Sequence, residues 1–173
     1  ELNGAITKIL PDPKGGWFAF GDFTFTKYPA INALMRLNPD RSLDTTFQFK
    51  FTSSIKDIAV VDSFLLCASE TTTVNGKAYD RIAVINHVTR QLVNVNYKTQ
   101  AAVNRLYTYK KQLILQTMNE LLRVKIPGFE KLEVPIGQYG VKVDSNFLYI
   151  SNGYGYISMG NTNMAAGSST SCG

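Results

Sequence analysis

Three parts of the chain carry one pattern. "AITKIL" followed by "GGWFAFGDF" corresponds to "SIKDIAVV" followed by "SFLLCAS", and then to "AVNRLYTY" followed by "QLILQTM". Ile6 and Ile9 reappear as Ile55 and Ile58, and again as Val103 and Leu106. The period of about 48 residues falls in the range of propeller blades. A repeat of this length is one supersecondary unit that cannot bury its faces alone, so stacking on its neighbours has to supply the core.

The hydrophobic spacing sets the element type. Helical periodicity is almost absent. Short apolar or alternating runs rich in Val, Ile, Phe, Tyr and Thr recur instead, separated by Gly, Pro, Asn, Asp or Lys, which is the strand-and-turn pattern. In the first unit it predicts strands at Ala5–Leu10, Trp17–Phe25, Ala33–Leu37 and Leu43–Phe49. In the second it predicts Ile55–Val61, Phe64–Ser69, Arg81–Asn86 and Gln91–Asn96, and in the third Val103–Tyr109, Gln112–Met118, Glu120–Ile126 and Lys131–Val134. A fourth unit begins at "YGVKVDSNFLYIS" and runs through "GYISMG".

Four short antiparallel strands per repeat is the arithmetic of a β-propeller blade. The expected fold is therefore all-β: a propeller-like repeat of about four antiparallel four-stranded blades, roughly residues 1–50, 51–98, 99–136 and 137–160. A Gly/Ser-rich tail, 161–173, is expected to be flexible or ordered only by a partner. Three and a half blades leave a face open. Blades of a larger propeller, or strands from a partner chain, are expected to close it.

Composition narrows the classes. With 173 residues, 45% hydrophobic and 18% charged, the chain is that of a globular protein with a core of its own. The net charge of +5 is scattered and Lys110-Lys111 is the only adjacent basic pair, so no nucleic-acid footprint is drawn. No apolar run approaches the ~20 residues of a membrane helix, so no membrane insertion is expected. No secretion signal is visible, and a start at Glu1 fits a processed product or a piece of a longer protein. Cys67, in "SFLLCAS", reads as a buried small hydrophobe, whereas Cys172, in the tail, fits a free thiol or a bridge to another chain.

One stretch invites a chemical reading. In "RLNPDRSLDTTF", Arg36 to Phe47, the residues Asn38, Asp40, Ser42 and Asp44 place an oxygen at every second position, like the first half of a calcium loop. Such a loop wants Gly sixth and Glu twelfth. Here those positions are Leu43 and Phe49. Pro39 presets a turn, and the Asn, Asp and Ser side chains can bond nearby backbone N–H groups, so a turn between strands explains the composition without an ion. No metal or cofactor is expected.

The same stretch carries a resemblance. "GDFTFTKYPAINALMRLNPDRSLDTTF", Gly21 to Phe47, resembles the delta-60 repeat, whose pattern runs from a Gly-x-Phe strand end to Arg-Leu-Asn-x-Asp-Gly-Ser-Leu-Asp-x-x-Phe. The second unit, "TTTVNGKAYDRIAVIN", keeps the Val-Asn-Gly loop and the Arg-Ile-Ala strand, then departs with "HVTRQLVNVNY". Beyond it only the blade spacing is shared. The resemblance implies a binding or architectural propeller of bacterial surface or secreted proteins and bacteriophage virions, with other protein chains of the same assembly, a cell-surface glycan or a receptor as partners. It carries over no catalytic residues.

The residue types agree with a non-enzymatic module. The single histidine, His87, reads as a solvated turn residue with no nucleophile pattern beside it. Asp22, Asp57, Glu70, Asp80 and Glu120 are the acids from which a glycosidase pair would have to be drawn, and turn or surface roles account for them. Binding candidates lie instead in the long loops between second and third strands, where Tyr28, Asn32, Asn75, Lys77, Tyr79 and Asp80 offer stacking faces and polar handles, or pack over neighbouring blades. Tyr154 and Tyr156 in "NGYGYIS" form a second aromatic candidate. The alternative functions are a carbohydrate-binding or carbohydrate-cleaving propeller and an intracellular scaffold.

Overall fold

The computed structural model describes residues 1–70, 72–95, 99, 101–109, 112–117, 121–125, 130–132, 140–143, 148–151 and 156–159. Among these residues every regular element is a strand. The first sheet is β1 (Leu2–Pro11), β2 (Trp17–Phe25) and β3 (Asn32–Leu37), in that order. The chain then builds β4 (Ile55–Val61), β5 (Phe64–Ser69), a hairpin of β6 (Thr72–Val74) and β7 (Lys77–Tyr79), β8 (Ile82–Asn86) and β9 (Gln91–Val93); the second sheet has the order β4-β5-β8-β9. The third is β10 (Val103–Tyr109), β11 (Gln112–Thr117), β12 (Leu121–Lys125) and β13 (Glu130–Leu132). The last holds β14 (Gly140–Val143), β15 (Leu148–Ser151) and β16 (Tyr156–Met159).

All strand pairs are antiparallel, and no sheet closes on itself. The bounds of β2, β4, β5 and β10 are those read from the sequence. The tail 161–173, with Cys172, lies outside the described residues, as do Lys110, Lys111 and Glu120.

One expected strand is absent. Leu43–Phe49 does not pair as the fourth strand of the first sheet; a single bridge joins Leu37 to Leu43 before the chain turns at Asp44. The alternation is still there, with Phe47, Phe49 and Phe51 buried and Gln48 and Lys50 exposed. It serves another end. The segment leaves the edge of β3 and lays its three rings in the gap between the first and second sheets.

The second sheet is covered on both sides. Ile58, Leu65, Cys67, Ala83 and Ile85 face the first sheet and join Phe18, Phe20, Leu34 and Phe47 in one cluster. Their alternates Ala59, Leu66, Ala68, Ile82 and Val84 face the third sheet, against Val103, Leu106, Leu113 and Leu115. Period-two alternation thus separates two apolar sets rather than an apolar from a polar one, as a doubly buried sheet requires. Each fully enclosed Phe or Leu contributes about 1.5–3 kcal/mol relative to exposure, so the stacking outweighs any single polar tie.

A repeated irregularity marks the three first strands. The register slips between Ile6 and Lys8 in β1, between Ile55 and Asp57 in β4, and between Val103 and Arg105 in β10. These are β-bulges at one place in the repeat, where a strand bends and re-aims the side chain that follows. Gly21 sits opposite the first of them, and a Cβ there would lie 2.1 Å from the Ala5 carbonyl oxygen.

The residue after the second bulge ties the first three sheets together. Buried Asp57 accepts from Lys8 Nζ of β1 (2.7 Å) and from the Leu106 N–H of β10 (2.9 Å), and its Oδ1 also takes its neighbour's Ile58 N–H at 3.0 Å. Removal of this carboxylate strands two buried backbone donors, so Asp57→Ala is expected to lower unfolding stability by about 3 kcal/mol. Urea titration measures it. Glu70→Gln, which touches only the exposed Lys56–Glu70 pair, should leave the midpoint in place. A change below about 0.5 kcal/mol for Asp57→Ala would refute the tie.

Candidate functional site

The connections between strands gather at two rims. One holds the β2–β3 loop and the longer connection from β5 to β8 that contains the β6–β7 hairpin. Here sit the six binding candidates of the described loops. Asn75 and Gly76 make the hairpin turn, with φ of 51° and 80°, the pair of left-handed residues that a type I′ turn demands. The Asn75 side chain accepts from Lys50 N (2.8 Å) and donates to Gln48 O (3.2 Å), and its N–H donates to Lys50 O. Asn32 clamps the same segment from the other side, accepting from Phe51 N (2.9 Å) and donating to Phe51 O (2.7 Å). Both asparagines therefore hold the crossing segment, and their amides are engaged.

The aromatic candidates separate. Tyr79 is buried in the cluster between the first two sheets, where burial raises its hydroxyl's pKa, and Lys77 lies over its ring at 5.7 Å while donating to Asn94. Tyr28 stays half-buried. It packs on the far side of the first sheet near Phe23 and Ile31, with Lys27 Nζ 5.5 Å from its ring centre. Asp80 sits 3.5 Å from Arg81 at the end of the loop. Tyr154 lies outside the described residues, and Tyr156 opens β16 opposite Ser151. Lys77 and Tyr79 thus share one hairpin, whereas Tyr28 faces the other side of its sheet.

The opposite rim carries a polar cluster that the loop pattern did not announce. Arg36, at the end of β3, donates from Nε to Asp12 Oδ2 (2.7 Å), from Nη1 to Asp44 Oδ2 (2.9 Å) and from Nη2 to the Gly15 carbonyl (2.8 Å). Arg90, from the β8–β9 turn, reaches the same Asp44 oxygen at 3.3 Å. The other oxygen of Asp44 accepts from the N–H and hydroxyl of Thr46. In the preceding turn Asp40 accepts from Ser42 N (2.9 Å) and Oγ (2.7 Å), and Asn38 donates to Ser42 Oγ (3.0 Å). The oxygens that resemble half a calcium loop are spent on one another and on Arg36.

His87 corrects the sequence reading. It is buried, not solvated. Its ring packs edge-on to Phe18 at 5.3 Å, Nε2 lies 3.1 Å from the Asp62 carbonyl oxygen, and Nδ1 lies 3.5 Å from Asp12 Oδ1. The turn following β8 tucks under the β1–β2 and β4–β5 turns, which encloses a side chain that its polar neighbours in sequence suggested was outside. Arg36 carried a readable signal. Period two places it on the face of Phe18 and Leu34, and a charge on an apolar face requires partners nearby.

Between the rims, β1, β4 and β10 border a cleft of about 440 Å³ lined by Lys8, Leu10, Pro11, Ile58, Val60, Leu106 and Tyr107. Lys8, at its edge, pairs with the buried Asp57. The other acids considered for glycoside chemistry are dispersed: Asp22 is exposed on β2, and Glu70 pairs with Lys56 at the surface. Burial pushes the Cys67 thiol well above its ordinary range, so its sulfur behaves as core. Among the described residues no helix is long and apolar enough to cross a membrane. No family model and no curated protein matches the chain.

The rim cluster has a pH signature. Burial alone would push the Asp44 carboxyl up; hydrogen bonds from Thr46 and Arg36 and the charge of Arg90 outweigh it and hold the group below its ordinary value. A carboxylate depressed in the folded state stabilises above its unfolded pKa of about 3.9 and loses that contribution as pH falls through the lower folded value. Urea midpoints taken from pH 6 down to pH 3 are expected to fall more steeply in the wild type than in Asp44→Asn. Parallel curves would remove Asp44 from the acid transition.

Proposed function

We propose that the chain is a β-propeller segment of about four blades, of the delta-60 kind, that serves as a non-enzymatic structural and interaction module in a larger extracellular or virion assembly. The observation that supports this is the repeated stacking. Like sheets pack face to face, with the bulge and its following residue at the same place in the first strands of the first three sheets. The buried acids and the histidine favour architecture too. Asp12, Asp44, Asp57 and His87 direct their contacts to neighbouring turns and sheets. Its partners on this reading are other protein chains of the assembly, met at the rims and at the open sides of the stack.

The half-buried Tyr28 beside Lys27, and the cleft between the first strands, support a second reading, a carbohydrate-binding propeller. A glycan array with the wild type and Tyr28→Ala separates the two. The architectural reading expects no retention that depends on Tyr28; a glycan held by the wild type and lost in Tyr28→Ala would replace it. Tyr79→Ala cannot serve the same purpose, because it removes a core ring and is expected to cost about 3 kcal/mol of stability. Polysaccharide turnover abolished by one Asp or Glu substitution would overturn the non-enzymatic reading. Within the closed assembly the propeller arrangement predicts disc-shaped projections in negative-stain electron microscopy, and flat stacked sheets there would refute it.

A further inference from the structure

The sequence holds Asn-Gly three times, at Asn3–Gly4, Asn75–Gly76 and Asn152–Gly153, and the last lies outside the described residues. This dipeptide has a chemistry of its own. The glycine nitrogen, with no Cβ beside it to hinder approach or rotation, can attack the side-chain carbonyl carbon of the asparagine. A bond forms from that nitrogen to Cγ, the Cγ–Nδ2 bond breaks, and ammonia leaves with the peptide proton. Water then opens the five-membered succinimide to aspartate or isoaspartate.

The fold sets the two described copies apart. Asn3 and Gly4 are held in the β1–β2 ladder opposite Thr24 and Phe23, and a Cβ on Gly4 would lie 2.0 Å from the Asp22 carbonyl oxygen, so the backbone there has no room to turn. Gly76 stands at the exposed tip of the β6–β7 hairpin, where a Cβ would meet nothing within 4 Å. What restrains Asn75 is its own amide. Oδ1 accepts from Lys50 N at 2.8 Å and Nδ2 donates to Gln48 O at 3.2 Å, so the carbon open to attack is tethered on both sides to the crossing segment.

We infer that Asn75 is a site of spontaneous deamidation gated by the 48–51 segment, and that the reaction releases this segment irreversibly. While the segment grips the amide, Cγ is kept from the Gly76 nitrogen. When the segment lifts, the side chain swings free and the ring closes at a rate set by the open fraction. The product does not grip again. Aspartate keeps an acceptor for Lys50 N but sets a carboxylate against the Gln48 carbonyl, and isoaspartate lengthens the backbone of a tight turn whose φ values of 51° and 80° suit two ordinary residues. The segment also carries Phe49 and Phe51, so the layer between the first and second sheets loosens with it. The inference needs only the hairpin and the crossing segment, and stands apart from the propeller reading.

Incubation of the full 173-residue chain at mildly alkaline pH, followed by peptide mass spectrometry, tests it. The expected result in the folded chain is a one-dalton gain at Asn75 and a slower gain at Asn3. Unfolding in urea, which removes both tethering bonds, is expected to quicken the gain at Asn75 about tenfold. Asn32→Ala, which frees Phe51 from the other side, should quicken it without urea. The converted protein carries one more negative charge and separates by ion exchange; its urea midpoint is expected below that of the unconverted fraction.

Equal rates in the folded and unfolded chain, conversion of Asn3 ahead of Asn75, or a converted fraction with an unchanged midpoint would each overturn the inference. So would an Asn75 that stays intact in the folded chain once the unfolded chain has converted, or a folded Asn32→Ala that converts no faster than the wild type. Where Asn32→Ala fails to fold, the wild type in urea just below its midpoint takes its place, and a rate there no faster than in buffer refutes the gate.

Discussion

The middle sheet has no face of its own to give to water, and the rest of the structure follows from that. A sheet covered on both sides cannot be stable without two neighbours, so the first and third sheets are conditions for the second. Its strands meet the condition with small and medium side chains, Cys67, Ala68 and Ala83 among Leu65, Leu66 and Ile85. The two layers they fill differ. The gap toward the first sheet is loaded with Phe18, Phe20, Phe47, Phe49 and Phe51, and that toward the third with Leu, Val and Ile. Aromatic rings need more room, and it is the crossing segment, not a ladder strand, that brings three of them in.

Polar groups then fix how the sheets are set against one another. A charge taken from water is costly unless its partners are complete, and breaking such a set costs more than making it gained. Arg36 and Asp57 are two such sets, one at a rim and one among the first strands. Each spans separate segments of chain: Arg36 draws the β1–β2 turn and the crossing segment together, and Asp57 joins β1, β4 and β10. Their directional bonds confine the sheets to one relative placement, which apolar stacking alone leaves loose.

The strands were legible because period two and turn residues are local signals. β2, β4, β5 and β10 could be bounded to the residue for that reason. Leu43–Phe49 misled because alternation reports only that one side of an extended chain is buried. It does not distinguish a ladder partner from a gap between sheets. His87 misled for a related reason, since its enclosure comes from turns distant in sequence. Among the loop candidates, Asn75-Gly76 announced its turn, but the grip of both asparagines on the 48–51 segment depends on contacts that no spacing records. Tyr28 and Tyr79 look alike in sequence and end on different surfaces.

The bulge at a common place in β1, β4 and β10 has one more implication, for the order of assembly. Chains made of copies risk docking a unit beside the wrong sibling, because all offer similar apolar faces. The residue behind the bulge differs in sign along the series, as Lys8, Asp57 and Arg105. With the second sheet between them, Lys8 meets the acid, pairing with Asp57 at 2.7 Å, while Arg105 stays exposed. With the second sheet left out, Lys8 would lose its carboxylate, and the third sheet offers a cation, Arg105, at the equivalent residue. The repeated bulge thus holds a one-letter address that labels sibling sheets which their hydrophobic faces do not tell apart.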